Sequence, residues 1–321
     1  IDGGTSAYNQ LPASYFSLGN SLNDLVPNPF YGVITDPTST LRLPTVARRQ
    51  LLAPYPQHTN VNAFARPTGN SIYHAFVLRV EKRFSNGLGF LVAYTAGKEI
   101  TDSGWGNTIT SLNGATARQD VYNRQSNRSL SPDDVSSRLV LSFNAELPFG
   151  RGRQFFTALP KAADLLLGGW QFNGIVTLQS GLPVALFSSV NQTGLGSSAQ
   201  RPNNNGRSAN LSGRTMDEQI SKWFDPSVFS LAAPFTFGNA PTVLPNVRNP
   251  GLRNFDLSLF KNFPILSENR LAAQLRLEAA NALNTTQLGR PGSTVGNTSI
   301  GVISGIGVAP RSVQLAFKLL F

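Results

Sequence analysis

Cysteine is absent from all 321 residues, which removes disulfide frameworks, zinc ribbons and thiol nucleophiles and leaves the redox compartment open. Histidine occurs only at His58 and His74, too sparse a supply for a metal cluster or a proton-transfer pair. No run of about 18 apolar residues exists, so the chain has no helical membrane span. Spans made of strands are untouched by that absence, because each needs only about ten residues of alternating character. Charged residues are scarce at 14%, and the net charge of +10 is not gathered anywhere. Arg48-Arg49, Lys82-Arg83 and Arg151/Arg153 are short and separated and lack stacking aromatics, so no nucleic-acid partner is expected. The chain opens Ile1-Asp2-Gly3-Gly4, its sole methionine is Met216, and no signal-peptide pattern is present. It is expected to be a processed or truncated piece whose start lies elsewhere.

What the sequence does contain is period-two alternation. In the last stretch Val313, Leu315, Phe317, Leu319 and Phe321 fall on one face of an extended strand, with Ser312, Gln314, Ala316, Lys318 and Leu320 on the other. Phe76, Leu78, Val80 and Phe84 alternate with Val77, Arg79, Glu81 and Arg83. Ser85-Asn86-Gly87 then supplies a tight turn into Leu88, Phe90, Val92, Tyr94 and Ala96, which predicts a hairpin. The same pattern recurs over residues 138–147, 170–179, 252–261 and 271–280, for about seven strands. Short helices are predicted over 13–25, 45–52, 161–167 and 216–223.

The connections alternate short, long, short, long, short, long, and the longest, 180–250, reads as structureless. One apolar and one polar face per strand, with long loops at one end and short turns at the other, predicts an all-β fold: an antiparallel transmembrane β-barrel segment of about seven strands of a larger barrel, with long extracellular loops. Residues 1–70, rich in proline and without sustained period, are read as a long irregular extracellular region, and 71–321 as the strands. The inward face should carry Arg79, Glu81, Arg138, Glu146, Arg276, Glu278 and Lys318, most simply as interstrand ion pairs in a wet lumenal wall. Trp105, Trp223, Phe224 and Phe235 are the ligand candidates in the outer loops. The acidic residues Asp102, Asp133 and Asp134 are read as solvated or capping groups rather than a cation site. Arg151 and Arg153 belong to a turn, since no phosphate-loop Lys-Ser/Thr follows Gly150 and Gly152. With no serine, histidine and acid arrangement, no enzyme and no cofactor are expected.

Several stretches resemble the Oar-like group of TonB-dependent outer-membrane receptors. They are Ser17-Leu18-Gly19-Asn20, Pro27-Asn28-Pro29-Phe30-Tyr31-Gly32, residues 80–88 (Val-Glu-Lys-Arg-Phe-Ser-Asn-Gly-Leu), Leu147-Pro148-Phe149-Gly150, Gly168-Gly169-Trp170-Gln171, Trp223-Phe224-Asp225 and Phe235-Thr236-Phe237-Gly238-Asn239. The resemblance implies a barrel of roughly 22 strands around an N-terminal plug, with uptake coupled to TonB through an N-terminal region outside these residues. It further implies outer-membrane lipid, lipopolysaccharide and the barrel-assembly machinery as partners, with Phe317, Leu319 and Phe321 as the C-terminal assembly signal. The expected function is binding and import of a large nutrient such as a siderophore, oligosaccharide or peptide, without catalysis.

The alternative from a different class is a secreted soluble β-sheet adhesion or carbohydrate-binding module. Solubility separates the two. A barrel segment should need detergent to remain monodisperse, whereas a monodisperse chain that unfolds cooperatively in plain buffer, followed by light scattering and circular dichroism, would refute the membrane reading.

Overall fold

The computed structural model describes residues 6–63, 69–102, 119–195, 200–265 and 271–321. Seven long strands form its main sheet: β1 (Ser71–Ser85), β2 (Leu88–Thr101), β3 (Ser137–Glu146), β4 (Trp170–Gln179), β5 (Leu252–Pro264), β6 (Ala272–Ala280) and β7 (Ser312–Leu320). Each pairs antiparallel with its neighbour in sequence, so the sheet is a simple meander from β1 to β7. All seven expected strands are present. The β1–β2 turn has the predicted chemistry: Asn86 and Gly87 adopt φ of 52° and 76°, and a two-residue hairpin turn of this kind requires positive φ at both positions.

The register sorts side chains by chemistry across the whole sheet. Leu78 lies opposite Tyr94 and Val80 opposite Val92. Tyr94 and Val92 face Leu139 and Leu141, which face Leu178 and Val176. Val176 faces Phe255, Leu259 on the same strand faces Leu277, and Leu277 faces Leu315. Cross-strand partners share a face, so this is one continuous apolar surface. The other face runs through Thr95 and Arg138, Gln179, Thr177 and Asn254, Ser258 and Glu278, and Gln314.

The apolar surface is left open. Leu277 has strands on both sides yet is 44% exposed, and on β7 Leu315 and Phe317 are 70% and 65% exposed. A soluble sandwich would bury these side chains against a second layer, each gaining about 1.5–3 kcal/mol. Among the described residues the sheet is not closed, because β1 and β7 each pair on one side only.

By register Lys82, Lys98 and Arg253 share the apolar face near the strand ends, and Lys261, opposite Trp170 and Leu275, shares it as well. Lys261 is buried because the connection 147–169 folds back over it. The helix Lys161–Leu167, formed where predicted, brings its last carbonyls to the ammonium. Lys261 Nζ donates to Leu165 O at 2.6 Å, to Asp164 O at 3.3 Å and to Gly168 O, and it lies over the Trp170 and Phe263 rings. A helix C-terminus carries partial negative charge, which makes it a suitable partner for a cation removed from water. The same connection leaves Leu165, Leu166 and Leu167 exposed, and Phe155 and Phe156 with them. This apolar and aromatic fringe lies at the short-turn end of the sheet.

At the other end the expectation of structureless connections is overturned. Residues 180–195, 200–251 and 281–311 build a core of their own around Phe224, Leu186, Val184, Val228, Leu244 and Val295. Short ladders frame it: Pro183–Ala185 against Val243–Arg248, Phe187–Ser188 against Thr294–Val295, and Asn203–Asn204 against Phe229–Ser230. Strands of two to six residues are too short to show a period, so they left no alternation to read. Two helix expectations also change. Residues 13–25 form 3-10 turns over Ala13–Asn23, broken by Gly19 at φ 53°, followed by the short strand Leu25–Pro27. Within 45–52, Thr45–Ala47 is extended and only Arg48–Leu51 is helical. In the fourth, helix Met216–Ser221 stops short of Trp223, and Thr215 caps it with the reciprocal Glu218 bond.

The separation of faces has a direct test. Leu277→Arg places a charge in the middle of the apolar surface and should cost roughly 2–4 kcal/mol in a bilayer, whereas Ser258→Arg, on the polar face beside Glu278, should be nearly neutral. Reversible folding into lipid vesicles in urea measures both, and equal costs would invalidate the assignment of faces.

Candidate functional site

The seven charges expected on the inward face all occupy the polar face of the sheet. Arg138 pairs in register with Thr95 and Gln179, Glu146 with Gln171, Glu278 with Ser258 and Gln314, and Lys318 with Gln274. Arg79 and Glu81 stand beside Ala93 and Leu91. The expected interstrand ion pairs are not what forms. Arg79 reaches Glu81 at 2.9 Å and Arg276 reaches Glu278 at 3.2 Å, each two residues along its own strand, while Glu146 pairs with Arg153 in the following turn at 2.5 Å. Residues i and i+2 share a face in a strand, and their long side chains bridge along it as readily as across it. These pairs are partly exposed, so each contributes about 0–1 kcal/mol. Arg276 also lies 5.5 Å from the Phe260 ring.

The loop-end aromatics divide. Phe224 is wholly buried at the centre of the loop core, so its reading as a ligand contact is corrected: it is a packing residue. Trp223 packs on the same core, and its indole N–H donates to Arg248 O at 2.7 Å. Phe235 is half-buried and holds a positive φ of 53°. Trp105 lies outside the described residues. Phe317, Leu319 and Phe321 are exposed, Phe317 and Leu319 on the apolar face opposite Leu275 and Ala273.

Sequence reasoning missed the polar clasp that ties three loop regions together. Gln119 and Gln10 are both buried. Gln119 Oε1 accepts from the backbone N–H of Arg201 at 3.0 Å and of Gly238 at 3.2 Å, and its amide donates to Gly238 O at 2.8 Å. Gln10 donates to Gln119 O at 2.7 Å and accepts from Val121 N–H at 2.7 Å, and the Tyr122 hydroxyl donates to Gln10 O. An amide side chain offers both donor and acceptor, so two glutamines satisfy backbone groups of all three segments at once. Gly238 is obligatory here: a Cβ at that position would lie 1.9 Å from Arg201 O. The one sequence signal was the Phe235–Asn239 motif, quoted for resemblance and not for its place in this clasp.

The clasp forms the wall of a cleft of about 420 Å³ lined by Gln119, Asp120, Asn123, Arg128, Arg201 and Phe237, among others. Clefts of several hundred Å³ with an aromatic wall and a few convergent polar groups are the usual form of small-molecule sites. Asp102 and Asp134, expected as solvated or capping groups, are instead buried in ion pairs with Arg124 and Arg248. Asp134 accepts from Glu99 N–H at 2.6 Å and pairs with Arg248 at 2.5 Å. Burial pushes the Asp102 carboxyl up, but the Asn70 N–H, the Arg124 guanidinium and the Asn70 amide outweigh it and hold the group below the usual aspartate value. Among the described residues no cluster of three metal-ligating side chains exists.

A family model described as an outer membrane beta barrel domain matches residues 4–314. No curated protein and no solved structure matches the chain.

Replacing Gln119 by leucine keeps the volume but leaves the buried N–H groups of Arg201 and Gly238 without their acceptor, at about 1–3 kcal/mol each. Hydrogen exchange should accelerate across 200–203 and 237–240 while β3 to β6 keep their protection; unchanged exchange in the loops would show that the clasp contributes nothing.

Proposed function

Given that the chain belongs to the outer membrane beta barrel domain family, and therefore resides in the outer membrane, we propose that it supplies C-terminal strands of a TonB-dependent receptor that captures and imports a large nutrient. The carrying observation is the meander itself. Seven sequential antiparallel strands have one apolar and one polar face, and their long connections gather at the end opposite the β1–β2 hairpin turn.

Three physical arguments support the finer reading. In hydrocarbon each unpaired backbone N–H or C=O costs several kcal/mol, so the outer edges of β1 and β7 call for further strands, as in a larger barrel. The polar face then lines a lumen, where Arg79, Glu81, Arg138, Glu146, Arg276, Glu278 and Lys318 meet water or a plug. The loop cap, with its own core and clefts, faces the exterior as the capturing end, where Phe235 and Trp223, which lines a second cleft, remain ligand candidates; Trp105 remains one from the sequence. Lipid and lipopolysaccharide contact the apolar surface, and the barrel-assembly machinery reads Phe317, Leu319 and Phe321. Coupling to TonB runs through a region upstream of these strands. The function is transport without catalysis.

Growth of a strain deleted for the gene, supplied in turn with ferric siderophores, oligosaccharides and peptides as the limiting nutrient, tests this. Loss of growth on one class should be restored by the intact gene and not in cells lacking TonB. Uptake that persists without TonB would leave a passive pore as the better description.

A further inference from the structure

Four charged side chains are buried among the described residues: Asp102, Asp134, Arg201 and Lys261. Three have full complements of partners. Asp102 has Arg124 and Asn70, Asp134 has Arg248 and Glu99 N–H, and Lys261 has three carbonyls. Arg201 has neither a carboxylate nor a carbonyl set. Its guanidinium makes one hydrogen bond, from Nη1 to Ser126 O at 3.0 Å, and its buried Nε has no partner.

A guanidinium presents five N–H donors in a planar fork that matches two oxygens of a carboxylate or phosphate. Removing such a cation from water without a counter-charge is costly, and folded proteins retain that arrangement where something else supplies the charge. Other arginines with an unmet Nε do not share the condition: Arg48, Arg124 and Arg276 pair with Asp24, Asp102 and Glu278, and Arg214 serves three carbonyls.

Arg201 and its acceptor Ser126 both line the 420 Å³ cleft, and the walls contain two arginines against one aspartate. Arg128 stands exposed at the rim. Asp120 is committed in part to the Tyr122 N–H at 2.9 Å. Asn123, Asn239 and the paired hydroxyls of Ser129 and Thr242, 2.5 Å apart, add neutral polar groups, and Phe237 adds an aromatic surface.

We propose that this cleft is an oxyanion site, in which the Arg201 fork, supported by Arg128, receives a carboxylate or phosphate group carried by the solute that the loops capture. The polar amides and hydroxyls suit the hydroxyl-bearing body of an acidic sugar or hydroxy acid, and Phe237 suits its apolar side. Burial also pushes the Arg201 guanidinium down from its ordinary value, as a desolvated cation without a counter-ion requires, though arginine keeps its proton at neutral pH. That the oxyanion belongs to an imported nutrient rests on the receptor reading; its binding in the cleft does not.

Calorimetric titration of the full-length protein, purified from outer membranes in non-ionic detergent, tests the site with citrate, glucuronate and inorganic phosphate as probes. Glucose and chloride serve as controls, and lipid A micelles represent a membrane source of phosphate. At least one free anion should bind saturably and glucose should not. Arg201→Gln should weaken that binding at least tenfold and Arg128→Gln less. Arg201→Lys, which keeps the charge and loses the fork, should weaken it severalfold and serves in place of Arg201→Gln if that variant does not fold. Equal affinities for the wild type and the Arg201 variants, absence of saturable binding by all three anions, or binding of lipid A alone would each overturn the proposal. None of these readouts requires energy coupling, so failure of the transport reading would leave them unchanged.

Discussion

In a hydrocarbon medium a backbone N–H or C=O has no water to turn to, and the rest of this structure follows from that constraint. Each of the seven strands satisfies its backbone through its neighbours in sequence, so the chain lays down a meander with no crossover. Because the side-chain period is two, every ladder bond also determines which residues meet lipid. A slip of one residue anywhere would turn Leu259, Leu277 and Leu315 to the polar side and Ser258, Glu278 and Gln314 to the apolar side. Backbone pairing and side-chain chemistry therefore select the same register.

The constraint also bears on Lys261. A lysine buried on the apolar face is tolerable only if protein replaces water around it, and the Lys161–Leu167 helix does so by directing its terminal carbonyls at Lys261. The turn between β3 and β4 is longer than the hairpin turn because it has this second task. Its exposed leucines and phenylalanines then lie near the polar boundary of the bilayer, where aromatic and apolar side chains are favoured.

At the opposite end water returns, and the chain folds by the ordinary rules of a soluble protein. Phe224 and its neighbours form a closed apolar core, while buried amides and ion pairs satisfy the groups between segments. Gln10, Gln119 and Gly238 connect the N-terminal region, the β2–β3 connection and the β4–β5 connection. The cap is consequently a packed body with defined clefts, and Arg201 is the one buried cation among the described residues that has neither a carboxylate nor a set of carbonyls around it.

Local sequence located all seven strands, the Asn86-Gly87 turn and the helix over 161–167, because each is written in consecutive residues: a period of two, a pair able to take positive φ, or an apolar run bounded by proline and glycine. It likewise put Arg79, Glu81, Arg138, Glu146, Arg276, Glu278 and Lys318 on one face, since parity along a strand decides sidedness. The loop core, the burial of Phe224, the pairing of Arg79 with Glu81 along a strand and the glutamine clasp were not legible. They depend on contacts between residues more than a hundred positions apart, such as Gln10 with Gln119 and Gln119 with Gly238, or on a choice among equally accessible partners. Local sequence determined which residues form the wall and how each is turned; only the tertiary structure decided what the loops enclose, because burial is a property of neighbours that the chain brings together after the local pattern has been spent.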